Sequence, residues 1–326
     1  MKKMMWMSQG LVIGIDLGAT NVRVALGDLE HGIVRMIKER TVSSGTSETL
    51  LNQLIEMVKE AASEELSRIE AIGIGSIGPL DIRRGILVKA ANAKFRNVPI
   101  VERLSKEFKV PVYMFNDCTV AALGEKVFGA AKNFSNFVYV GIGTGIGGGV
   151  FVDGRLLLGK DGNAAEIGHM TIDLGDGLQC GCGGKGHWEA YCSGMGIPSF
   201  VKSWITSGKI EDLKSPIIDM AMKDEITSKH LFEYAKMGDE LALKIVEEIG
   251  RINAICFANL INLFDPELIT IGGSIALKNP DLILAPIKKY VGRYVINRIP
   301  EIMLTPLGED IVLYGAIALA SRRITL

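Results

Sequence analysis

Two glycine-rich turns, each directly after a short apolar run, constrain the fold of this chain more than any other feature. LVIGID (residues 11–16) leads into LGATN (17–21), and FVYVGI (137–142) leads into GTGIGGG (143–149). A short apolar run indicates a buried strand, and glycine allows the backbone to turn sharply after it. Because the strand–turn–strand pattern occurs twice, the sequence predicts two related halves that share one architecture.

Helical periodicity between the strands completes an α/β pattern. Apolar residues recur at helical spacing in 50–66 and in 241–263, which is typical of amphipathic helices. Further strands are predicted at 72–76, 112–115, 150–152, 268–271 and 302–305, and further helices at 98–108, 117–130, 281–290 and 314–322. No low-complexity linker is present, so a domain boundary is expected within structured elements, near Asp117.

Composition argues against a nucleic-acid-binding, secreted or membrane-spanning protein. A net charge of −1 over 326 residues gives no field that would attract nucleic acid or an anionic membrane. Five cysteines, an odd count, argue against a secreted disulfide framework. The N-terminal apolar part is too short for a signal peptide, and no apolar run approaches the roughly 20 residues of a membrane helix. The sequence predicts a cytoplasmic enzyme with neither a nucleic-acid nor a membrane partner.

The two glycine turns are candidate phosphate-binding loops. Successive backbone N–H groups can form a cradle for an anion, and Thr20 and Thr144 add hydroxyl donors. Asp16, at the end of its strand, could orient a hydrated Mg²⁺. Both turns could instead be tight hairpins that merely require glycine. A third turn, Gly272-Gly273 after another strand, favours the phosphate interpretation.

Asn116 and Asp117 lie where a predicted strand meets a predicted helix. Asp117 could be the N-cap of that helix, accepting backbone N–H bonds. It could also be a general base that accepts a proton from a substrate hydroxyl, as in phosphoryl transfer. Both roles are compatible, since a capping bond would hold the carboxylate in place.

A cluster of metal-ligand residue types lies in 169–187. His169, Cys180, Cys182 and His187 offer two imidazoles and two thiols, a donor set that suits a closed tetrahedral Zn²⁺ site. The alternative is two free thiols and two surface histidines. A zinc-held loop would bring Glu166 and Glu189 together beside an imidazole, a hydrogen-bonding set for a polyol. Solvent exposure is the usual fate of glutamate and remains the alternative for both.

Several motifs together resemble the ROK family (repressors, open reading frames, sugar kinases), and in particular its glucokinase-like members. The resemblance covers nearly the whole chain. It rests on DLGATN (16–21), GSIGPL (75–80), ND (116–117), GTGIGGG (143–149), EIGH (166–169), CGCGGKGHWE (180–189) and ITIGGS (269–274). His187 stands where the family usually has a third cysteine. No helix-turn-helix like that of the repressor members is expected before Leu11.

The resemblance implies an α/β, two-lobed actin/hexokinase-like (ribonuclease H-like) fold with a cleft between the lobes. Residues 10–117 with 310–326 would form the smaller lobe, and 118–309 the larger lobe with the zinc loop. It implies ATP, Mg²⁺ and a structural Zn²⁺, and phosphorylation of a hexose, expected to be glucose, on the 6-hydroxyl. A kinase for N-acetylmannosamine, fructose or mannose, or a non-catalytic sugar-binding regulator, are the alternatives. A homodimer or homotetramer is expected.

The resemblance also implies a role for individual residues. Asp117 would be the catalytic base. The sugar ligands would be Gly78 (through its backbone), Asn92, Asn116, Asp117, Glu166, His169 and Glu189. The nucleotide and magnesium ligands would be Asp16, Gly18, Thr20, Asn21, Gly143, Thr144 and Gly145, with Gly272 and Gly273 on the adenosine side. The zinc ligands would be His169, Cys180 and Cys182, with His187 as the candidate fourth ligand.

Overall fold

A computed structural model of the protein describes residues 10–89, 95–208 and 213–321. Its strands are β1 (Leu11–Leu17), β2 (Asn21–Asp28), β3 (Gly32–Arg40), β4 (Ile69–Ser76), β5 (Leu80–Asp81), β6 (Ile86–Lys89), β7 (Arg96–Val98), β8 (Val112–Asn116), β9 (Phe137–Ile142), β10 (Ile146–Val152), β11 (Arg155–Leu156), β12 (Leu268–Gly272) and β13 (Glu301–Leu304). Its helices are α1 (Ser47–Ala62), α2 (Ile100–Phe108), α3 (Asp117–Val127), α4 (Glu189–Cys192), α5 (Ile197–Thr206), α6 (Pro216–Met222), α7 (Ser228–Lys236), α8 (Glu240–Phe264), α9 (Ser274–Lys278), α10 (Pro280–Tyr290) and α11 (Ile311–Ala320).

Contacts divide the chain into two compact units. The first comprises residues 1–133, 155–164 and 310–326, and the second comprises 134–154 and 165–309. The sequence places the boundary at Asp117, and that division stays a prediction. In the structure, residues 118–133 group with the first unit because α3 packs against α11.

The first unit is built on a sheet of order β3-β2-β1-β4-β8. β1 pairs antiparallel with β2 and parallel with β4, and β4 pairs parallel with β8. Alternate residues of β1 face opposite sides of the sheet. Ile13 and Ile15 pack in a core with α1, whereas Val12 packs with Leu313 of α11. Helices therefore cover both faces, which explains why β1 is apolar almost throughout.

The second unit repeats this strand order. Its sheet runs β10-β9-β12-β13, with β9 antiparallel to β10 and parallel to β12, and with β12 parallel to β13. The same sequence of antiparallel and parallel pairs joins β2, β1, β4 and β8 in the first unit. The predicted repeat of one architecture is thereby confirmed. The long helix α8 supplies much of the core on one side, including Ile249 and Phe257.

Helices α3 and α11 cross at glycines. A Cβ added at Gly315 would lie 1.8 Å from the carbonyl oxygen of Val120, and one added at Gly124 would lie 2.6 Å from the carbonyl oxygen of Ile311. The two backbones approach this closely only because neither position carries a side chain. The crossing therefore depends on glycine although glycine disfavours helices.

Within the described part of the chain, no helix combines the length and apolar character that crossing a membrane requires.

We predict that Gly315→Ala lowers the free energy of unfolding by about 1–3 kcal/mol, because the added methyl group collides with backbone rather than with a movable side chain. Helix propensity alone predicts the opposite sign, a gain of about 1 kcal/mol. Chemical denaturation measures the difference. Gly175→Ala is the matched control, since its Cβ would meet only Asp173 Oδ1 at 3.5 Å. A Gly315→Ala variant at least as stable as the wild type would contradict this account of the crossing.

Candidate active site

The first glycine turn joins β1 to β2 and is closed by a hydrogen bond from Gly18 N to Asn21 O (3.0 Å). A Cβ at Gly18 would lie 2.8 Å from that same oxygen, so the turn requires glycine there. Thr41 donates its hydroxyl to Gly18 O (2.8 Å) and steadies the turn from the end of β3. Thr20 and Asn21 are exposed, so their polar side chains are accessible to a ligand.

Asp16, the candidate magnesium ligand, lies just before this turn. Its cross-strand neighbour in β2 is Arg23, whose Nε and Nη2 both donate to Asp16 Oδ2 (2.9 and 2.5 Å). Burial raises the pKa of Asp16, and the Arg23 guanidinium opposes that shift. The carboxylate is of the oxygen type that a hydrated Mg²⁺ accepts. Arg23 was missed from the sequence, because its position on the same face as Asp16 follows from the register of β1 with β2.

The β8–α3 junction holds the candidate base. Asn116, not Asp117, is the N-cap of α3, because its side-chain oxygen accepts from Cys118 N at 3.0 Å. Asp117 is the first helical residue, and its Oδ1 also accepts from Cys118 N, at 2.7 Å. A Cβ at Gly78 would lie 4.0 Å from Asn116 Nδ2. Gly78, Asn116 and Asp117 therefore lie together; Asn92 falls outside the described residues.

These groups of the first unit share one edge of its sheet. In the parallel register, Leu17 pairs with Ser76, and Ser76 pairs with Asn116. Ile77 N donates to Leu17 O (3.1 Å) and continues this alignment past the strand ends. The turn after β1, the loop after β4 and the start of α3 thus meet at the carboxyl ends of parallel strands, where ligands bind in open α/β sheets.

The second glycine turn and the Gly272-Gly273 turn lie side by side in the second unit. They follow the neighbouring parallel strands β9 and β12. A Cβ at Gly143 would lie 3.6 Å from Ser274 N, and one at Gly273 would lie 2.5 Å from the carbonyl carbon of Ile142. Gly194 N donates to Gly143 O (2.8 Å), and Met195 N donates to Thr144 O (3.1 Å). Thr144 itself is exposed.

The predicted metal ligands converge. His169, Cys180, Cys182 and His187 each offer one donor atom, and these atoms all lie within 4.8 Å of one another. His169 Nδ1 is 3.8 Å from Cys180 Sγ, and His187 Nδ1 is 3.3 Å from Cys182 Sγ. Two imidazoles and two thiols in this arrangement fit a tetrahedral Zn²⁺ site. Burial raises the pKa of the Cys180 thiol to about 11, so a bound metal would have to displace its proton.

The loop that carries these ligands is anchored at both ends of its hairpin. Trp188 N donates to Met170 O (3.0 Å), and Cys180 N donates to Gly184 O (2.8 Å). The buried Trp188 side chain donates Nε1 to Asn253 Oδ1 of α8 at 2.8 Å. His187 and Glu189 flank this tryptophan in sequence, so the anchored indole restricts where their backbone can lie. No sequence pattern identifies Asn253 as the partner.

Glu166 and Glu189 lie beside the cluster of candidate metal ligands. Glu166 Oε2 is 3.9 Å from His169 Nε2, the ring nitrogen that the cluster does not use. Glu189 Oε1 accepts from Cys180 Sγ (3.5 Å). Its Oε2 accepts from Ile146 N (2.8 Å), at the start of β10 and within the second glycine-rich segment. Glu189 therefore links the metal loop to the candidate phosphate loop, a contact that the sequence did not reveal.

Comparison with known proteins identifies the family. The ROK family profile matches residues 12–323. A glucokinase of Pyrobaculum calidifontis is 37% identical over 308 residues, which cover 94% of each chain. The chain belongs to the ROK family.

Two solved structures of ROK proteins have the same fold. A ROK family glucokinase from Streptomyces griseus in complex with glucose and AMPPNP is 32% identical, with a TM-score of 0.77 over 95% of this chain and 99% of that one. A ROK hexokinase from Thermus thermophilus is 31% identical, with a TM-score of 0.81 over 95% and 97%. The predicted fold class, a two-domain α/β sugar-kinase fold, is thereby confirmed for this ROK protein.

We predict that Glu189→Ala speeds hydrogen exchange at residues 141–149, because the Ile146 N–H loses its acceptor. Losing a partly buried acceptor costs about 1–3 kcal/mol. Glu189→Gln keeps an oxygen for this N–H and should exchange nearly as the wild type does. Hydrogen-exchange mass spectrometry of this segment measures the effect. Glu166→Ala is the control, and equal exchange in both alanine variants would rule out the link.

Proposed function

We propose that this ROK protein transfers the γ-phosphoryl group of ATP to the 6-hydroxyl of glucose. The observation that carries the proposal is the placement of Asp117 with Asn116 and Gly78 at a sheet edge, in a chain 37% identical to a glucokinase over almost its whole length. A carboxylate at that position supplies what hydroxyl phosphorylation requires, which is a base beside other polar groups.

Asp117 accepts the proton of the 6-hydroxyl as that oxygen attacks the γ-phosphorus. The bond between Cys118 N and Asp117 Oδ1 holds the carboxylate in one orientation, so little reorganisation is needed during the reaction. Asn116, Glu166, His169 and Glu189 bind the other hydroxyls, together with Asn92 and the backbone of Gly78. A carboxylate accepts from a hydroxyl and an imidazole N–H donates to one, so this set suits a polyol.

The glycine turns hold the nucleotide. Backbone N–H groups near Gly18, Gly143 and Gly145 and the hydroxyls of Thr20 and Thr144 donate to phosphate oxygens. Gly272 and Gly273 border the adenosine in this proposal. Both positions require glycine, because a side chain there would collide with Tyr139 or with the backbone of Ile142. Asp16 is the residue that would hold Mg²⁺, which when bound neutralises charge on the transferring phosphoryl group.

Zn²⁺ is proposed as a structural ion held by His169, Cys180, Cys182 and His187. Four protein ligands leave no position for substrate, so the ion would stabilise the loop rather than act in the reaction. The bound ion would hold the His169 ring in the orientation in which Nε2 faces Glu166.

The alternatives are a kinase for another sugar and a non-catalytic regulator. Phosphorylation of N-acetylmannosamine, fructose or mannose uses the same chemistry, whereas a sugar-binding regulator would bind glucose without turnover. Initial rates across these sugars with ATP separate the kinases, and zero turnover with retained glucose binding would indicate the regulator. Assembly as a homodimer or homotetramer and a cytoplasmic location stay predictions.

We predict that Asp117→Asn lowers kcat for glucose by about 10²–10⁴-fold, the usual contribution of a positioned base. The amide keeps an oxygen for Cys118 N, so the fold and glucose affinity should survive. A coupled assay measures kcat, and calorimetry measures glucose binding. Asp281→Asn, at an exposed position in the first turn of α10, is the control. Near-wild-type turnover of Asp117→Asn would disprove its role as the base.

We predict about one Zn²⁺ per chain in the purified protein, and much less in Cys182→Ser and His187→Ala. Both variants should also unfold at lower temperature, because a metal that binds only the folded state stabilises it. Elemental analysis and thermal unfolding measure the two effects. His31→Ala, which changes an exposed histidine, is the control. A His187→Ala variant with wild-type zinc content would exclude His187 as the fourth ligand.

A further inference from the structure

Arg23 lies between two carboxylates at the edge of the first unit where the proposed magnesium ligand is located. It is directly opposite Asp16 in the antiparallel pair of β1 and β2, so both side chains project from the same face of the sheet. Both are nearly buried, with 14% of each side chain exposed. Arg23 has not been assigned a role by the motifs or by the proposed mechanism.

The geometry of the pair is asymmetric. Arg23 Nε and Nη2 both donate to one oxygen of Asp16, Oδ2, at 2.9 and 2.5 Å. Oδ1 takes no part in these two bonds. Two charge-assisted bonds restrain Oδ2 more tightly than a single bond would. A hydrated Mg²⁺ is commonly held through only one or two carboxylates, so Asp16 can bind Arg23 and serve the metal with different oxygens.

Asp310 fixes the arginine in turn. Arg23 Nη1 donates to Asp310 Oδ1 at 2.8 Å, and Asp310 ends the 3-10 turn Gly308–Asp310 immediately before α11. Three nitrogens of the guanidinium thus donate to two carboxylates, Asp16 and Asp310, which are far apart in sequence. Without the arginine, two acidic groups would remain close together, one of them largely buried and without its cation, which is a costly arrangement.

We propose that Arg23 is a positioning residue for magnesium-nucleotide binding: it orients Asp16 through Oδ2 so that Oδ1 serves hydrated Mg²⁺, and Asp310 holds Arg23 in that orientation. The role rests on the proposed function. If the ion pair were purely structural, replacing Arg23 would change only the stability of the protein. If Arg23 positions Asp16, its replacement also changes how strongly nucleotide affinity depends on the Mg²⁺ concentration.

The test uses the full chain, AMPPNP and MgCl₂. Calorimetry measures AMPPNP affinity over a series of Mg²⁺ concentrations and with chelator, for wild type, Arg23→Gln and Arg23→Lys. We expect Arg23→Gln to need about 10–100-fold more Mg²⁺ for the half-maximal gain in affinity, the usual cost of losing a group that orients a metal ligand. Affinity in chelator and affinity for glucose should change little. Arg23→Lys should recover part of the loss, because it restores a cation without the two directed donors.

Arg103→Gln is the matched control. Arg103 also bridges two carboxylates in the first unit, Glu107 at 2.9 Å and Glu48 at 4.0 Å, but on α2 and α1 rather than beside a glycine turn. Its variant should show the wild-type dependence on Mg²⁺.

The outcomes separate this role from the proposed function. A folded Arg23→Gln variant with wild-type dependence on Mg²⁺, in a wild-type protein that binds AMPPNP and phosphorylates glucose, overturns the role of Arg23 and leaves the function standing. If Arg23→Gln does not fold, wild-type Mg²⁺ dependence of Arg23→Lys overturns it instead. A wild-type protein that binds no AMPPNP overturns the proposed function, and the role of Arg23 with it.

Discussion

The placement of β1 and β9 between one antiparallel and one parallel neighbour determines where the polar groups of each unit lie. The antiparallel neighbour can follow after a tight turn, whereas parallel neighbours have their carboxyl ends at the same edge of the sheet. In the first unit this register puts Asp16 opposite Arg23 and aligns Leu17, Ser76 and Asn116. In the second it puts Gly141 beside Gly272. Backbone hydrogen bonding thus gathers the candidate ligands before any side chain contributes.

Close backbone approach is the second constraint, and glycine satisfies it. A Cβ at Gly73 would lie 2.0 Å from Ala316 O, and one at Gly14 would lie 3.0 Å from Leu313 O. Helix α11 can therefore lie directly on the strands β1 and β4. That contact also brings Asp310, at the start of α11, to Arg23. The close packing of α11 on β1 and β4 thus places the Asp310 carboxylate at the edge of the sheet.

The histidine–cysteine loop shows how a segment without regular structure is held. Its hairpin is closed by backbone bonds, and the buried Trp188 is bound to Asn253 of α8. Glu189, the next residue, accepts from both Cys180 and Ile146. Hydrogen bonds therefore join a candidate metal ligand, a candidate sugar ligand and the turn after β9.

Local sequence was sufficient for features that depend on neighbouring residues. Apolar runs and glycine turns predicted the strands and the repeat, and the clustering of His169, Cys180, Cys182 and His187 within a short segment predicted their convergence. Local patterns also marked the β8–α3 junction, but they did not decide that Asn116 rather than Asp117 is the cap, because both side chains can reach the same N–H.

The sequence by itself determined the α/β class, the repeated architecture and the candidate ligand types, because each follows from spacing along a few consecutive residues. Only the tertiary structure decided that Arg23 joins Asp16 to Asp310 and that Glu189 binds Ile146 N. These contacts connect residues far apart in the chain or on separate strands. Their geometry depends on strand register and helix packing, which no local pattern specifies.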